Sequence, residues 1–228
     1  MDTPTLQAAY VLHARCYGDS SLLVELLTRA QGRLACIAKG ALRPRRPEAR
    51  IQAFQPLLVE LRGRGEVLTL ARTEAGGAPQ HLTGRSLYCG LYLNELMLKL
   101  TARQDPCAGL FDDYELALRD LLAAPSAEPV LRRFEMRLLE HLGLGLALEL
   151  DTQGQPIRAD SGYTYDVDSG ASPNRGTGAA VISGATLLAL KHGDFADGES
   201  LLQARMLMRR ILNHHLDGRP LRSRELFR

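Results

Sequence analysis

The chain has 228 residues, 45% hydrophobic and 24% charged, with no tryptophan and only 5% aromatics, which allows one large or two small domains with aliphatic cores. The net charge of +2 hides an asymmetry, because residues 1–80 hold 11 Lys+Arg against 7 Asp+Glu while residues 81–228 hold 17 against 19. Cys16, Cys36, Cys89 and Cys107 form no CxxC pair, no run approaches the ~20 apolar residues of a membrane span, and the first ten residues lack a leader pattern. A disulfide framework and a membrane anchor are therefore not expected, and a reducing cytoplasm is.

In chain order, residues 8–16 favour strand, Tyr17 to Ser20 a turn, and 21–28 a second strand, because turn residues flank that short apolar run. Gln31-Gly32 marks the next turn and 33–39 the third strand. Residues 56–62 read as a fourth strand, Gly63-Arg64-Gly65 as a tight turn, and 66–73 as a fifth. In the fifth, alternation puts Val67, Thr69 and Ala71 on one face and Leu68, Leu70 and Arg72 on the other. Five short strands with a longer excursion between the third and fourth match an OB-fold barrel. Tyr10, Tyr17 and Phe54 are its only aromatics, and packing in a core or turn accounts for them more simply than base stacking.

The excursion carries the sharpest chemical signal. Lys39, Arg43, Arg45, Arg46 and Arg50 face a single acid, Glu48, within twelve residues, and Pro44 and Pro47 keep the segment out of regular structure. Guanidinium groups at that density suit a phosphate backbone, onto which they fork while displacing counterions. A solvated basic loop is the plainer alternative. Arg33, Arg62 and Arg64 are outlying candidates for the same contacts.

From Glu74 to Thr83 glycine and proline replace periodicity, and a domain boundary is expected there, with a barrel domain over 1–78 and a helical domain over 79–228. Helices are expected at 85–103, capped by Thr83, at 108–124 with Leu110, Tyr114, Ala117, Leu118 and Leu121 inward, and at 127–142 carrying Arg132, Arg133 and Arg137. Residues 148–178 read as an irregular insert, with only Tyr163 to Tyr165 strand-like. A short helix from Ser183 to Gly193 and a last one over 199–217 follow, and the tail is expected to pack Leu221 and Leu226 inward. The fold class expected is α+β.

No catalytic constellation stands out. Gly63-x-Gly65 and Gly143-x-Gly145 lack a third glycine, and no GxxxxGK[ST], HExxH or GxSxG occurs. His214 and His215 are neighbours about 100° apart on a helix and poorly placed to share a metal. The pattern favours a binding protein over an enzyme.

Taken together, Val11 to Arg15, Ala38 to Ala41, Phe54 to Leu58, Gly63 to Glu66, Gly90 to Leu96, Leu131 to Glu135 and Ser223 to Arg228 make the chain resemble the RecO family of bacterial recombination mediators. The resemblance implies binding of single- and double-stranded DNA, annealing of complementary strands, and help to the recombinase RecA on DNA coated with single-strand-binding protein. It implies two direct partners, RecR and the acidic tail of single-strand-binding protein, and a cytoplasmic, nucleoid-associated location. Leu131-Arg132-Arg133-Phe134 matches the segment that receives that tail, so Arg132 and Arg133 are the candidates, with a local pair to Glu128 or Glu135 as the plainer reading. Some members hold zinc with four cysteines in the insert; here that stretch has no cysteine, so no metal or other cofactor is expected. The alternatives are a basic OB-fold adaptor for acidic proteins or an RNA-binding module without annealing activity.

Overall fold

The computed structural model describes residues 6–42, 51–174, 176, 181–195 and 198–227. They form two compact units, Met1–Ala123 with Leu221–Arg228, and Ala124–Pro220.

The first unit is built on five strands, β1 (Gln7–Tyr17), β2 (Ser21–Thr28), β3 (Gly32–Ala38), β4 (Leu57–Arg62) and β5 (Val67–Ala75). They close in the order β1-β2-β3-β5-β4, with β4 returning to β1 and β3 parallel to β5. This is the expected OB-fold barrel. Its interior is aliphatic: Val11, Val24, Leu26, Cys36, Val59 and Leu70 meet there. Burial, with a smaller push from Glu25, drives the Cys36 thiol up to about 12, so it behaves as an inert core group.

Two bulges decide which side chains face out. Along β1 the pairing with β2 slips between Val11 and His13, leaving Leu12 as the extra residue. Val11 and Ala14 point into the barrel while Tyr10, His13, Arg15 and Tyr17 point away from it. Strict alternation would have turned Arg15 and Tyr17 inward with Val11. A second slip, opposite Glu60 and Leu61, leaves Ala71 unpaired on β5. Arg72 is exposed as a result, and the expectation that it shares a face with Leu68 and Leu70 is corrected.

Helices α1 (Gly84–Leu100) and α2 (Ala108–Ala123) complete this unit. Thr83 occupies the N-cap of α1, but its side chain makes no capping bond, contrary to expectation. From α1, Asn94 reaches the bulge: its Nδ2 donates to the Leu12 carbonyl at 2.9 Å, and its Oδ1 accepts from the Tyr114 hydroxyl at 2.6 Å. Gly90 lets α1 lie against Phe54, since a Cβ there would stand 2.9 Å from that ring. Next to Asn94 in the chain and about 100° around the helix, Glu95 accepts from the amides of Arg222 and Ser223 and from the Ser223 hydroxyl, at 3.0, 2.8 and 2.6 Å. It thereby holds the closing 3-10 turn, Arg222–Phe227. Leu221 is buried but Leu226 is exposed, so only half of the expected tail packing occurs.

The second unit contains α3 (Ala127–His141), α4 (Gly184–His192), α5 (Gly198–His215) and a sheet ordered β7 (Gly170–Pro173), β6 (Gly162–Asp166), β8 (Ile182–Ser183). Only β6 was legible as a strand. The insert is pinned by carboxylates accepting from nearby amides: Asp151 from Gln153 and Gln155, and Asp166 from Asp168 and Ser169. Ser183 caps α4 by accepting from the Thr186 amide, and Gly193 ends it at φ 70°.

Replacing Asn94 with leucine orphans the Leu12 carbonyl and the Tyr114 hydroxyl, and is expected to cost about 2–4 kcal/mol in denaturant unfolding. Burial opposes the charge on Glu95, but the Ser223 and Arg222 hydrogen bonds and Lys99 outweigh it and hold its carboxyl below the usual range. Its contribution is thus full above the unfolded value near 4.3 and is lost as pH falls through the lower folded value. Unfolding midpoints should therefore fall more steeply with acid in the parent chain than in Glu95→Gln.

Candidate nucleic-acid interface

Cross-strand register lays the outward side chains of the barrel in rows. One row runs Arg15, Leu23, Ile37, Thr69, Arg62 across all five strands. At about 4.8 Å per strand its two arginines lie about 19 Å apart along the curved sheet. The neighbouring row runs His13, Glu25, Ala35, Val67. Tyr17 stands beyond the first row at the end of β1, 52% exposed, and Val67 is 45% exposed. Half-buried Leu23 and Ile37 sit between them. The result is a largely apolar strip, interrupted by Thr69, with a cation at each end and an exposed ring at one corner.

Lys39 is exposed just past β3, and the Leu42 amide donates to the Ser20 carbonyl at 3.0 Å. The chain therefore leaves the strip beside the β1–β2 turn. Arg43, Arg45, Arg46 and Arg50, which follow, lie outside the described residues.

The opposite end of the same outer surface is covered. Tyr10 packs edge-on to Tyr114 at 5.3 Å and tilted to Phe111 at 5.5 Å, and its hydroxyl donates to Glu115 at 2.9 Å. Burial first, and Glu115 second, raise the Tyr10 pKa far above its ordinary value. The segment after α1 runs alongside β3, with the Gln104 amide donating to the Arg33 carbonyl at 2.9 Å. Gly32 permits this approach, because a Cβ there would overlap the Asp105 carbonyl. Arg33 belongs to this covered end. It donates to the Thr101 carbonyl at 2.7 Å and to Glu25 at 3.2 Å, and burial lowers its pKa. Glu25 also holds Arg103. In this arrangement Arg33 ties the hairpin to the chain after α1 and does not face the strip.

The remaining cations singled out in the sequence both lie in the open. Arg62 and Arg64 are exposed on the β4–β5 hairpin, Arg62 with a 2.6 Å contact to Glu60. Arg15, His13 and Tyr17 were missed as site residues, and their signal was faint: three apolar residues, Tyr10 to Leu12, interrupt the alternation where the bulge falls. Of the aromatics, Tyr10 and Phe54 are core residues and Tyr17 is not.

In the second unit, Arg132 is 4% exposed and its Nη2 meets Glu135 at 2.5 Å, one helical turn on. The local pair is the reading the structure supports for Arg132. Arg133 is exposed, its stem laid across Gly193, where a Cβ would stand 2.9 Å from its Cγ. A small pocket of about 120 Å³ lies elsewhere in this unit, lined by Leu144, Ala147, Tyr165, Ile211 and His215 among others. Neither arginine lines it. Among the described residues, no three His, Cys, Asp or Glu side chains are grouped to hold a metal, and no helix is long and apolar enough to cross a membrane.

Two family profiles cover the chain, Recombination protein O N terminal over residues 1–76 and Recombination protein O C terminal over residues 81–225. The chain belongs to the RecO family. Curated relatives agree along nearly the whole length: DNA repair protein RecO of Azoarcus sp. is 45% identical, covering 96% of this chain and 93% of its own. DNA repair protein RecO of Methylococcus capsulatus is 46% identical, covering 98% and 93%. That of Pseudomonas aeruginosa is 42% identical, covering 100% and 96%.

The two kinds of cation should separate in stability. Arg33→Ala is expected to cost about 1–3 kcal/mol, because it orphans a half-buried carbonyl and part of a carboxylate. Arg15→Ala and Lys39→Ala should stay within about 0.5 kcal/mol. Urea midpoints compared across the three variants check this.

Proposed function

We propose that this RecO family protein binds DNA on the open strip of its barrel, over a binding domain of about residues 1–78, and pairs complementary strands there during repair and recombination. The observation that carries the reading is the continuous row from Arg15 to Arg62, with Leu23, Ile37 and Thr69 between the two cations, beside the segment that leads into Arg43, Arg45, Arg46 and Arg50. Arginine and lysine at the ends meet phosphates without reading sequence. Tyr17, Val67 and the Leu23–Ile37 strip offer unstacked bases an apolar platform. Annealing requires two polyanions to be screened while base edges stay free, and this surface supplies charge and stacking with few polar groups to compete for those edges. No covalent step is involved.

The helical remainder, about residues 79–228, is the part proposed to meet protein partners. Exposed Arg133 is the first candidate for the acidic tail of single-strand-binding protein, with Arg132 behind it in its pair with Glu135. Contacts with RecR and assistance to RecA follow from the family resemblance.

Binding of a labelled oligothymidine, followed by anisotropy from 50 to 300 mM salt, should give log affinity against log salt a slope of about −3 to −4, as for about five neutralised phosphates on a single strand. Arg15→Gln with Arg62→Gln should bring that slope closer to zero by about 1.4. A slope near zero in the parent chain contradicts the reading. Reversing Arg43, Arg45 and Arg46 to glutamate should abolish annealing on DNA coated with single-strand-binding protein; intact DNA binding with lost partner binding would favour an adaptor instead.

A further inference from the structure

We infer that Glu25 is a built-in counter-charge that ends the DNA-binding strip, by holding cations at its border away from the phosphate backbone. The inference rests on the open strip being the DNA site and assigns a limit to it. Val24 and Leu26 point into the barrel on either side, so Glu25 is the outward residue of its row. That row, His13 to Val67, lies between the exposed row of Arg15 and Arg62 and the covered end of Tyr10, Leu27 and Arg33.

A carboxylate at the border of a polyanion site repels the ligand, and here it does a second thing. Arg33 contacts Glu25 at 3.2 Å, and Arg103 reaches it through both Nε and Nη2. The three side chains together carry one net positive charge. The side chain of Glu25 is only 13% exposed and that of Arg33 only 14%, whereas that of Arg103 is 42% exposed. Arg33 is also fixed by the Thr101 carbonyl. Arg103 is therefore the cation that Glu25 withholds. Its backbone bridges to Arg33, two rows from Arg15, and its side chain reaches the intervening Glu25 row; released, it would lengthen the phosphate path by one contact.

A four-variant comparison tests this with the full-length chain, a fluorescein-labelled oligothymidine and a salt titration. In Glu25→Gln the slope of log affinity against log salt should steepen by about 0.7, and binding at 0.1 M salt should tighten about fivefold, as one added single-strand phosphate contact gives. Arg103→Gln alone should bind within about twofold of the parent chain, since that arginine is already engaged. In Glu25→Gln/Arg103→Gln the gain should vanish. A merely structural Glu25 would lower the thermal midpoint without steepening the slope. An unchanged or shallower slope in Glu25→Gln, or a gain that survives in the double variant, overturns the inference. Should Glu25→Gln not fold, Arg103→Gln still decides: a loss beyond about threefold means the arginine already serves the ligand. Failure of the strip itself reads differently, as unchanged parent binding in Arg15→Gln/Arg62→Gln.

Discussion

One buried amide governs the barrel's outer surface. Asn94 satisfies the carbonyl that the Leu12 bulge removes from the strand ladder, at 2.9 Å. A bulged carbonyl left dry and unpaired in that position would be costly. With it satisfied, β1 can shift its alternation by one residue, and Arg15 and Tyr17 emerge on the outside while Val11 remains within. The same helix that supplies Asn94 also anchors the chain's end through Glu95. Two consecutive residues of α1, on adjoining faces, therefore fix the orientation of the strip and the position of the tail.

The arginines of this first unit do unlike work, and the partners they hold separate them better than charge does. Arg33 is spent on a carbonyl and a carboxylate at the covered end. Arg29 forms a fork with Asp112 at 2.5 and 3.0 Å while lying over the Phe111 ring. Both are engaged within the unit, Arg33 in its interior and Arg29 at its surface. Arg15, Lys39 and Arg64 project into solvent around an apolar strip, the combination that lets a barrel hold a strand by backbone and base together. The second unit shows the same economy: Arg132 is committed to Glu135 inside α3, and its neighbour Arg133 alone of the two faces out.

Much of this was legible in the sequence, because turn residues and short aliphatic runs define barrel strands locally. Gly18, Gly32, Gly63 and Gly65 mark the hairpins, and helical spacing gave the buried face of α2 from Leu110 to Leu121. The resemblance to the RecO family rested on ordered short segments, and the family profiles agree with it. Charge runs are visible in sequence, but the partners of a charge are not: nothing near Arg33 in the chain announces Thr101, and nothing near Glu25 announces Arg103. Bulges are hidden for the same reason, since the residue that permits one, Asn94, lies 82 positions from Leu12. Strands β7 and β8 were missed because they are two to four residues long and depend on β6 for pairing.

The account stands on an outer barrel surface that is closed at Tyr10 and open at Arg15. Methyl spectra of the full-length chain, recorded as an oligothymidine is titrated in, test that division directly. The account predicts shifts at Leu23, Ile37 and Val67, with Leu27 at the covered end unmoved. Shifts confined to residues 124–220, with those three methyl-bearing side chains silent, would contradict it.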